Sequence, residues 1–505
     1  MKTVTCDIVV LGGGGSGMVA ALRAAEHGKK KVIVLEKSKM TGGGANFATF
    51  MRTFDSKWQK ERGIQCQTID YIRLVQDEMF WQVEPELAAN SVRATGEFVD
   101  WLMELEPSLA EQVYPGKYLF PNEFDPVGPQ ADNHQKRTFG RMVMDTMRDK
   151  AAQYGVELLT QTKAVDVEMS GGRIAAVLAE QNGEQLRVEC RACILATGSW
   201  ICNEKIAQKV CPEFSLKALE MTPHTNPAYT GDGIPIAEHA GAFVDYDSFC
   251  IRFMGPMPPR SIHGPEFSIV NAMLQSRYVI TVNQNGRRYC SEPLSHLSYF
   301  RDGVVQARQP GLAAYQIFDM NCIMATSQLP HVELEPHLLE VMGDPNITQD
   351  MDAVRAQMDA IFAKHPKGIY RADTLEDLAD QIGVDRSNLL ETVANYSRAC
   401  AEGRDWEFAK PADALAAINT APYFAIKASP GTDGAFGGVR VNGRMEAYAA
   451  DRKHTVAGLY VTGDFASGRY ALLGGYKAQV LNDLAWAFAS GFLAGTNASD
   501  DLDRT

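Results

Sequence analysis

A run of glycines from Gly12 to Gly17, enclosed between a strand and a helix, constrains the fold of this chain more than any other feature. The apolar residues Cys6–Leu11 before it have the length and composition of a buried strand. The Ala- and Leu-rich segment Met18–His27 after it predicts a helix, and Gly28 is placed to end that helix in the left-handed conformation. A second strand, Lys31–Glu36, follows. The order predicts a βαβ unit and therefore a parallel sheet.

The glycine run fits the pattern GxGxxG, which is typical of dinucleotide binding when a strand precedes it and a helix follows. Gly12 would allow the tight turn, Gly14 would let the backbone approach a diphosphate, and Gly17 would let helix and strand pack closely. Gly15 and Ser16 begin the helix, whose positive end attracts a diphosphate. The alternative is an ordinary structural turn before a helix.

An acidic residue at the end of the second strand favours the dinucleotide interpretation. Glu36 stands where a carboxylate would accept hydrogen bonds from the hydroxyls of an adenosine ribose. We include the neighbouring Lys37 in the predicted cofactor site.

Length and charge exclude several classes of protein. The chain has 505 residues, enough for more than one domain, and a net charge of -13, which disfavours nucleic acid as a partner. The longest apolar segment, Val480–Ala494, is interrupted by polar residues, so we predict a buried helix and no membrane span. The N-terminus lacks the pattern of a secretory signal, and we therefore expect a cytoplasmic protein. We predict no metal ligands.

The order of patterns along the chain predicts an interrupted domain. Residues 67–154 have helical spacing, and Lys163–Glu180 predicts a hairpin that turns at Gly171–Gly172. The proline-rich residues 243–421 lack βαβ alternation and predict a separate domain. Strand patterns and a long final helix then return, before a short acidic tail that we expect to fray. The predicted divisions are 1–242, 243–421 and 422–505, the first and last forming one domain.

Further glycine turns indicate that the dinucleotide is FAD. They are Thr41–Asn46, Ala196–Gly198, Thr230–Gly233 and Thr462–Asp464. Each could be an ordinary turn, but together they predict an extended site with many contacts. The residues that we predict to bind the cofactor, in these turns and elsewhere, are Gly43, Gly44, Ala45, Ala164, Val165, Ala196, Thr197, Gly198, Asp232, Gly463, Asp464 and Gly475.

Three further motifs follow in the sequence, namely Val282–Tyr289, Gly437–Gly438 and Gly474–Gly475. The whole ordered set resembles that of the flavoprotein superfamily of fumarate reductases, succinate dehydrogenases and 3-ketosteroid dehydrogenases. The resemblance spans nearly the whole chain. It implies an α/β fold, in which a Rossmann-like FAD-binding domain is interrupted by a mobile α+β capping domain and the substrate lies on the flavin ring.

The resemblance also implies roles for individual residues. Glu36 would hold the ribose, Asp232 would contact the cofactor, and Asp464 would lie at the ribityl chain. The amides after Gly474 and Gly475 would face the pyrimidine end of the flavin.

The sequence departs from the fumarate-reducing branch of that superfamily. Where that branch carries a His-Pro-Thr, this chain has Phe249–Met254, and it lacks the branch's His in Asp433–Gly438 and its Arg in Ala471–Gly475. Those groups clamp two carboxylates, and a dianion without them would be buried and unpaired. We therefore expect a substrate other than a C4 dicarboxylate.

The ketosteroid dehydrogenase type fits better at one position. Tyr470 and Gly474 have the four-residue spacing with which that branch holds a ketone oxygen, although Tyr470 could instead only pack against the flavin or the cap.

By resemblance, the proton carrier follows Glu292. The candidates are His296, then Arg301, then Tyr299, while Arg252 could bind a carbonyl or acidic group or form a salt bridge.

These observations predict an FAD-dependent oxidoreductase that transfers hydride between flavin N5 and a C–C bond adjacent to a carbonyl, with a small carbonyl-containing substrate and a separate electron donor or acceptor. One alternative is an FAD-carrying electron-transfer subunit without its own organic substrate. Another is a dithiol reductase that uses Cys190 and Cys193, although the apolar run around Cys193 favours a small core residue.

Overall fold

The computed structural model describes residues 1–48, 51–64, 68–79, 81–111, 113–115, 123–126, 138–210, 220–221, 225–257, 267–274, 276–292, 299–330, 346–364, 367–469 and 483–504. The chain divides into two compact units. Unit 1 comprises Met1–Phe214, Pro223–Arg252 and Asp433–Thr505, and unit 2 comprises Ser215–Thr222 and Phe253–Thr432. Unit 1 is thus interrupted in sequence by unit 2, and the α/β fold class predicted from the sequence is confirmed.

Unit 1 is built on a ten-stranded sheet with a parallel centre. Its strands are β1 (Lys2–Thr5), β2 (Ile8–Leu11), β3 (Val32–Leu35), β7 (Glu157–Leu159), β8 (Thr162–Ser170), β9 (Arg173–Gln181), β10 (Glu184–Glu189), β11 (Ala192–Leu195), β19 (Glu446–Tyr448) and β20 (Thr455–Val461). The central order is β20-β11-β2-β3-β7, all parallel. β2, β3 and β11 are buried along their whole length, as expected for parallel strands covered on both faces.

The smaller strands of unit 1 complete the list. They are β4 (Met51–Arg52), β5 (Val113–Pro115), β6 (Glu123–Pro126), β18 (Val439–Arg440) and β21 (Ala466–Ser467). The predicted hairpin is present as the antiparallel pair β8 and β9.

The helices of unit 1 are α1 (Gly15–Gly28), α2 (Lys57–Glu61), α3 (Thr68–Glu78), α4 (Pro85–Leu105), α5 (Phe139–Gln153), α6 (Glu204–Val210), α7 (Gly233–His239) and α14 (Asp483–Arg504). The first and last of them, α1 and α14, pack closely because glycine removes side chains at the crossing. A Cβ at Gly491 would lie 2.3 Å from the Ser16 carbonyl oxygen, and one at Gly495 would lie 2.4 Å from that of Ala20. This contact holds the helix that follows the glycine loop in place.

Two local predictions at the ends of these helices were wrong. Gly28 is the last residue of α1, and Lys29 takes the left-handed conformation. The glycine is needed there for packing instead, since a Cβ would lie 1.6 Å from Ser499 Oγ. The acidic tail is helical to Arg504 because Leu502 is buried.

Unit 2 is an α+β unit around its own apolar core. Its strands are β12 (Glu220–Met221), β13 (Cys250–Met257), β14 (Ile280–Asn283), β15 (Ala314–Asp319), β16 (Ile369–Ala372) and β17 (Tyr423–Phe436), of which β13 and β17 begin or end in unit 1. β14, β15 and β17 pair antiparallel. The helices are α8 (Ser268–Leu274), α9 (Tyr299–Gln306), α10 (Met320–Ser327), α11 (Met351–Ala363), α12 (Leu375–Ile382) and α13 (Arg386–Glu402). The core includes Phe318, Phe424 and Tyr396.

Among the helices of the described ranges, none is both long enough and apolar enough to cross a bilayer.

Candidate functional site

The glycine loop is a tight turn that only glycine can form at two positions. Gly12 has a φ of 107°, and a Cβ on it would lie 2.3 Å from the carbonyl oxygen of Ala196. A Cβ on Gly17 would lie 2.0 Å from the Gly12 carbonyl oxygen. The loop, the start of α1 and the end of β11 are therefore in direct contact, as the sequence pattern requires.

The backbone at Gly14 is open. A Cβ built there meets no described atom within 4 Å, although Gly12 and Gly17 on either side are tightly enclosed. Gly14 is also the N-cap of α1. Glycine has no side chain that could accept from the amides of the first turn, which begins with Gly15 and Ser16. This arrangement leaves backbone amides and the helix dipole directed at a space that an anion can enter.

Glu36 holds the loop by a contact that the sequence did not predict. Its carboxylate accepts hydrogen bonds from the amides of Gly13 and Ser38, each at 2.7 Å. A carboxylate has about four acceptor positions, so both oxygens retain capacity for a ribose hydroxyl. The role predicted for Glu36 stays a prediction, but its side chain is positioned at the loop.

The second glycine turn lies beside the first. The Gly42 amide donates to the Gly13 carbonyl at 2.7 Å, and Gly14 and Gly42 form an isolated parallel bridge. Gly43, Gly44 and Ala45 follow in a 3-10 turn, Gly43–Phe47.

Three buried polar atoms, in the second glycine turn and in the turn Ala196–Gly198, have no hydrogen-bond partner among the described residues. They are Thr41 Oγ1, Asn46 Oδ1 and Thr197 Oγ1. Buried polar groups in proteins almost always find a partner, so atoms of this kind indicate a polar ligand. Together with the open backbone at Gly14, they fit a dinucleotide.

Asp232 is fixed by two lysines. Lys37 Nζ lies 2.5 Å from its Oδ2, and Lys163 Nζ lies 3.1 Å from its Oδ1. Burial acts to raise the pKa of Asp232, but the hydrogen bonds and charges of Lys37 and Lys163 outweigh burial and lower it. The carboxylate is thus ionised and paired.

Ala164 and Val165 lie on β8 next to this cluster. The register of β8 against β9 shifts between Ala164 and Asp166, so Val165 is an extra residue, and it is exposed. Their contact with the cofactor stays a prediction.

Asp464 lies in a different electrostatic environment. Burial raises its pKa to about 6, against the opposing charges of Arg252 and Arg469. The turn before it is anchored, because the Gly463 amide donates to Ser490 Oγ at 3.0 Å and the Thr462 amide donates to the Leu195 carbonyl at 2.9 Å. Asp464 is therefore held at the carboxyl end of the central strands, where ligands of such sheets bind.

Arg252 forms an ion pair with Asp483 at the start of α14. The two side chains are 16% and 24% exposed, so the pair is largely screened from water. The Arg252 guanidinium also lies 5.9 Å from the ring centroid of Phe436. The salt bridge considered for Arg252 is thus present, and its binding of a carbonyl or acidic group stays a prediction.

Aromatic side chains pack together at the position of the missing His-Pro-Thr. Phe249 stacks on Trp200 with ring centroids 5.4 Å apart and contacts Tyr246 at 4.9 Å. The Trp200 indole donates to the Phe436 carbonyl at 3.3 Å.

The two cysteines with CxxC spacing lack the environment of a reactive dithiol. Cys193 is wholly buried in β11, and Cys190 is 8% exposed. Burial raises the pKa of both thiols, which disfavours the thiolate that thiol–disulfide exchange requires.

Several candidates for the chemistry lie outside the described residues. They are His296, Tyr470, Gly474 and Gly475. Tyr299 and Arg301 lie in α9, whose side chains at these two positions are outside the description. The next residue, Asp302, is buried, and burial followed by the nearby charge of Glu292 raises its pKa to about 7.

Sequence reasoning missed two features. In unit 2, Arg288 contacts Glu292 and Asp405 at 2.7 and 3.0 Å in a buried ionic cluster. In unit 1, Tyr229 lies against the turns of Gly44 and Gly198. Its position directly before the turn Thr230–Gly233 is the sequence feature from which its location could have been predicted.

The fold and the glycine turns of unit 1 define a dinucleotide-binding α/β protein. The chain belongs to the FAD binding domain family, which it matches over residues 7–476. Its cofactor is FAD, and it is an FAD-dependent oxidoreductase.

The chain is similar to curated relatives of known activity. It is 24% identical over 453 residues to the vinyl phenol reductase of Lactiplantibacillus plantarum, with 86% of this chain and 85% of that protein covered. It is 27% identical over 370 residues to the NADH:acrylate oxidoreductase of Vibrio harveyi, with 72% of this chain but only 32% of that protein covered. The chain thus spans about a third of the second relative.

A solved structure with a similar fold is 3-ketosteroid delta1-dehydrogenase from Sterolibacterium denitrificans, in complex with 1,4-androstadiene-3,17-dione. The TM-score is 0.70 at 19% identity, and the match covers 98% of this chain and 100% of that one. The likeness shows the shared fold.

Proposed function

We propose that this flavoprotein transfers hydride between flavin N5 and a C–C bond adjacent to a carbonyl, either reducing an α,β-unsaturated carbonyl compound or catalysing the reverse dehydrogenation. Membership of the FAD binding domain family supports the flavin chemistry. Relatives named vinyl phenol reductase and 3-oxosteroid 1-dehydrogenase support reaction at a C–C bond.

The observation that carries the substrate class is the Arg252–Asp483 ion pair. Arg252 is the cation that the sequence offers at the position of the missing His-Pro-Thr, and Asp483 already pairs with it. A substrate carboxylate placed there would compete with Asp483 or be left unpaired, and breaking a buried pair costs about 3–5 kcal/mol. The aromatic packing of Phe249 with Trp200 also disfavours a substrate carboxylate at this position. The substrate is therefore a small carbonyl compound without a second carboxylate.

The bound FAD supplies hydride transfer at N5, and the residues of the chain supply orientation and proton control. Tyr470 and the Gly474 amide would donate hydrogen bonds to the carbonyl oxygen, each donor contributing about 3 kcal/mol in the transition state. His296, Arg301 and Tyr299 are the candidates, in that order, for moving the proton at the neighbouring carbon. These roles are part of the proposal. A separate electron donor or acceptor completes the turnover.

The test is an anaerobic single turnover. The flavin is reduced with dithionite and mixed with cyclohex-2-enone or fumarate, and reoxidation is followed by the return of flavin absorbance. We expect cyclohex-2-enone, which is uncharged, to reoxidise the flavin faster than fumarate does. Fumarate as the fastest oxidant would contradict the substrate class.

Reoxidation by a one-electron acceptor, but by no unsaturated compound, would favour an electron-transfer subunit instead. An inactive preparation is excluded by showing that the same sample binds FAD stoichiometrically.

A further inference from the structure

Tyr229 connects two of the glycine turns that form the cofactor site. A Cβ on Gly44 would lie 2.5 Å from the Tyr229 hydroxyl oxygen, and one on Gly198 would lie 3.6 Å from Cε1 of the same ring. The phenol therefore occupies the space above both glycines. Glycine at position 44 makes room for the hydroxyl, whereas at position 198 a Cβ would only be in ordinary van der Waals contact with the ring.

The backbone of Tyr229 is fixed from two sides. Its amide donates to the Asn226 carbonyl at 3.0 Å, and its carbonyl accepts from the Cys202 amide at 2.8 Å. Asn226 Oδ1 also accepts from the Ala228 amide at 2.9 Å, which closes the loop around it. A side chain on a loop bonded in this way is held in place before any ligand binds.

The hydroxyl of Tyr229 has a hydrogen available for donation. Its oxygen lies beside the Gly44 backbone, and a phenol carries one O–H group that can be donated to an acceptor. Burial and the charge of Asp464 raise the pKa of Tyr229, against the Gly44 amide and Arg252. The phenol is consequently neutral, and a donor, throughout the usual pH range.

The surroundings of Tyr229 are those that a flavin nucleotide would occupy. Thr41 Oγ1 and Thr197 Oγ1, in the same two turns, are buried without partners among the described residues. The Tyr229 side chain itself is only partly buried, although its ring and its hydroxyl both contact protein. Part of the Tyr229 side chain is thus exposed, and the two turns that it contacts contain buried polar atoms that need a ligand.

We propose that Tyr229 is a cofactor-contacting residue, which packs its ring against bound FAD and donates its hydroxyl hydrogen to it while locking the Gly44 and Gly198 turns together. The proposal rests on FAD as the cofactor and does not depend on which compound the flavin reduces.

The experiment compares Tyr229→Phe and Tyr229→Leu with the parent protein. Tyr246→Phe is the matched control, since that tyrosine bonds Glu238 at 3.0 Å in the same unit. Apoprotein is titrated with FAD to obtain Kd, and the emission and two-electron midpoint potential of the bound flavin are measured. A phenol in contact with a flavin quenches flavin emission, whereas a phenyl ring or a leucine does not.

We expect Tyr229→Leu to raise the Kd for FAD about ten-fold, which corresponds to about 1.4 kcal/mol. Tyr229→Phe keeps the ring, so its Kd should rise less, but its flavin emission should increase and its midpoint potential should shift. Tyr246→Phe should change none of the three. The proposal is overturned if both Tyr229 variants match the parent within two-fold in Kd and in emission. A failure of enone reduction would leave these measurements standing, so the two proposals fail separately.

Discussion

Gly14→Ala separates a glycine needed by the ligand from a glycine needed by the fold. Gly14 has φ -71° and ψ -175°, which alanine adopts freely, and a Cβ there meets no described atom within 4 Å. The apoprotein should therefore accept the methyl group with little change in stability. Gly12→Ala is the opposite case, because its Cβ would lie 2.3 Å from the Ala196 carbonyl oxygen.

The cost of Gly14→Ala should appear only when FAD binds. A methyl group between the loop and the diphosphate would push the phosphates away from the start of α1. Losing two charge-assisted hydrogen bonds of about 1.5–3 kcal/mol each would cost about 3–6 kcal/mol. The Kd for FAD should then rise roughly 100-fold or more.

The assay combines apoprotein melting with FAD titration. Gly14→Ala should leave the Tm of the apoprotein unchanged and weaken FAD binding, whereas Gly12→Ala should lower the Tm as well. If Gly14→Ala binds FAD as tightly as the parent, the diphosphate does not lie against Gly14, and the account of the loop is wrong.

Three further predictions concern the ionic pair, the buried carboxyl and the thiols. Asp483→Asn frees the charge of Arg252, so the rate of flavin reoxidation by fumarate relative to cyclohex-2-enone should rise about ten-fold; an unchanged ratio would show that the pair does not select the substrate. The folded-state pKa of Asp302, about 7, lies above its ordinary value of 3.8, so its contribution to stability is present below pH 4 and is lost as the pH rises to about 7. Asp302→Asn should reduce this fall in the free energy of unfolding, by up to a few kcal/mol, in urea titrations at pH 4 and pH 7; an identical fall in both proteins would contradict the raised pKa. Cys190→Ser should leave the turnover rate within two-fold of the parent. A loss of turnover in this variant would support the dithiol mechanism.

Local patterns predicted the centre of unit 1 because the physical constraints there are local. The glycine loop, its two strands and α1 follow from residues adjacent in sequence, and the hairpin follows from Gly171–Gly172. The end of α1 could not be predicted from local patterns, because Gly28 is needed for close packing against Ser499, which is distant in sequence.

The sequence predicted those parts of the candidate site in which a single motif is sufficient to indicate its function. The glycine turns were predicted, but the contacts between them were not. The hydrogen bond from the Gly13 amide to Glu36 and the position of Tyr229 depend on how the turns pack together. The salt bridge of Arg252 likewise required its partner at position 483.

The central claim is that the flavin exchanges hydride with a C–C bond next to a carbonyl, and product analysis after a single turnover tests it most directly. Holoenzyme reduced with one equivalent of dithionite is mixed anaerobically with cyclohex-2-enone, and the organic product is quantified against the flavin oxidised. We predict one equivalent of cyclohexanone for each flavin. Flavin reoxidation with unchanged enone, or with the allylic alcohol as product, would contradict it.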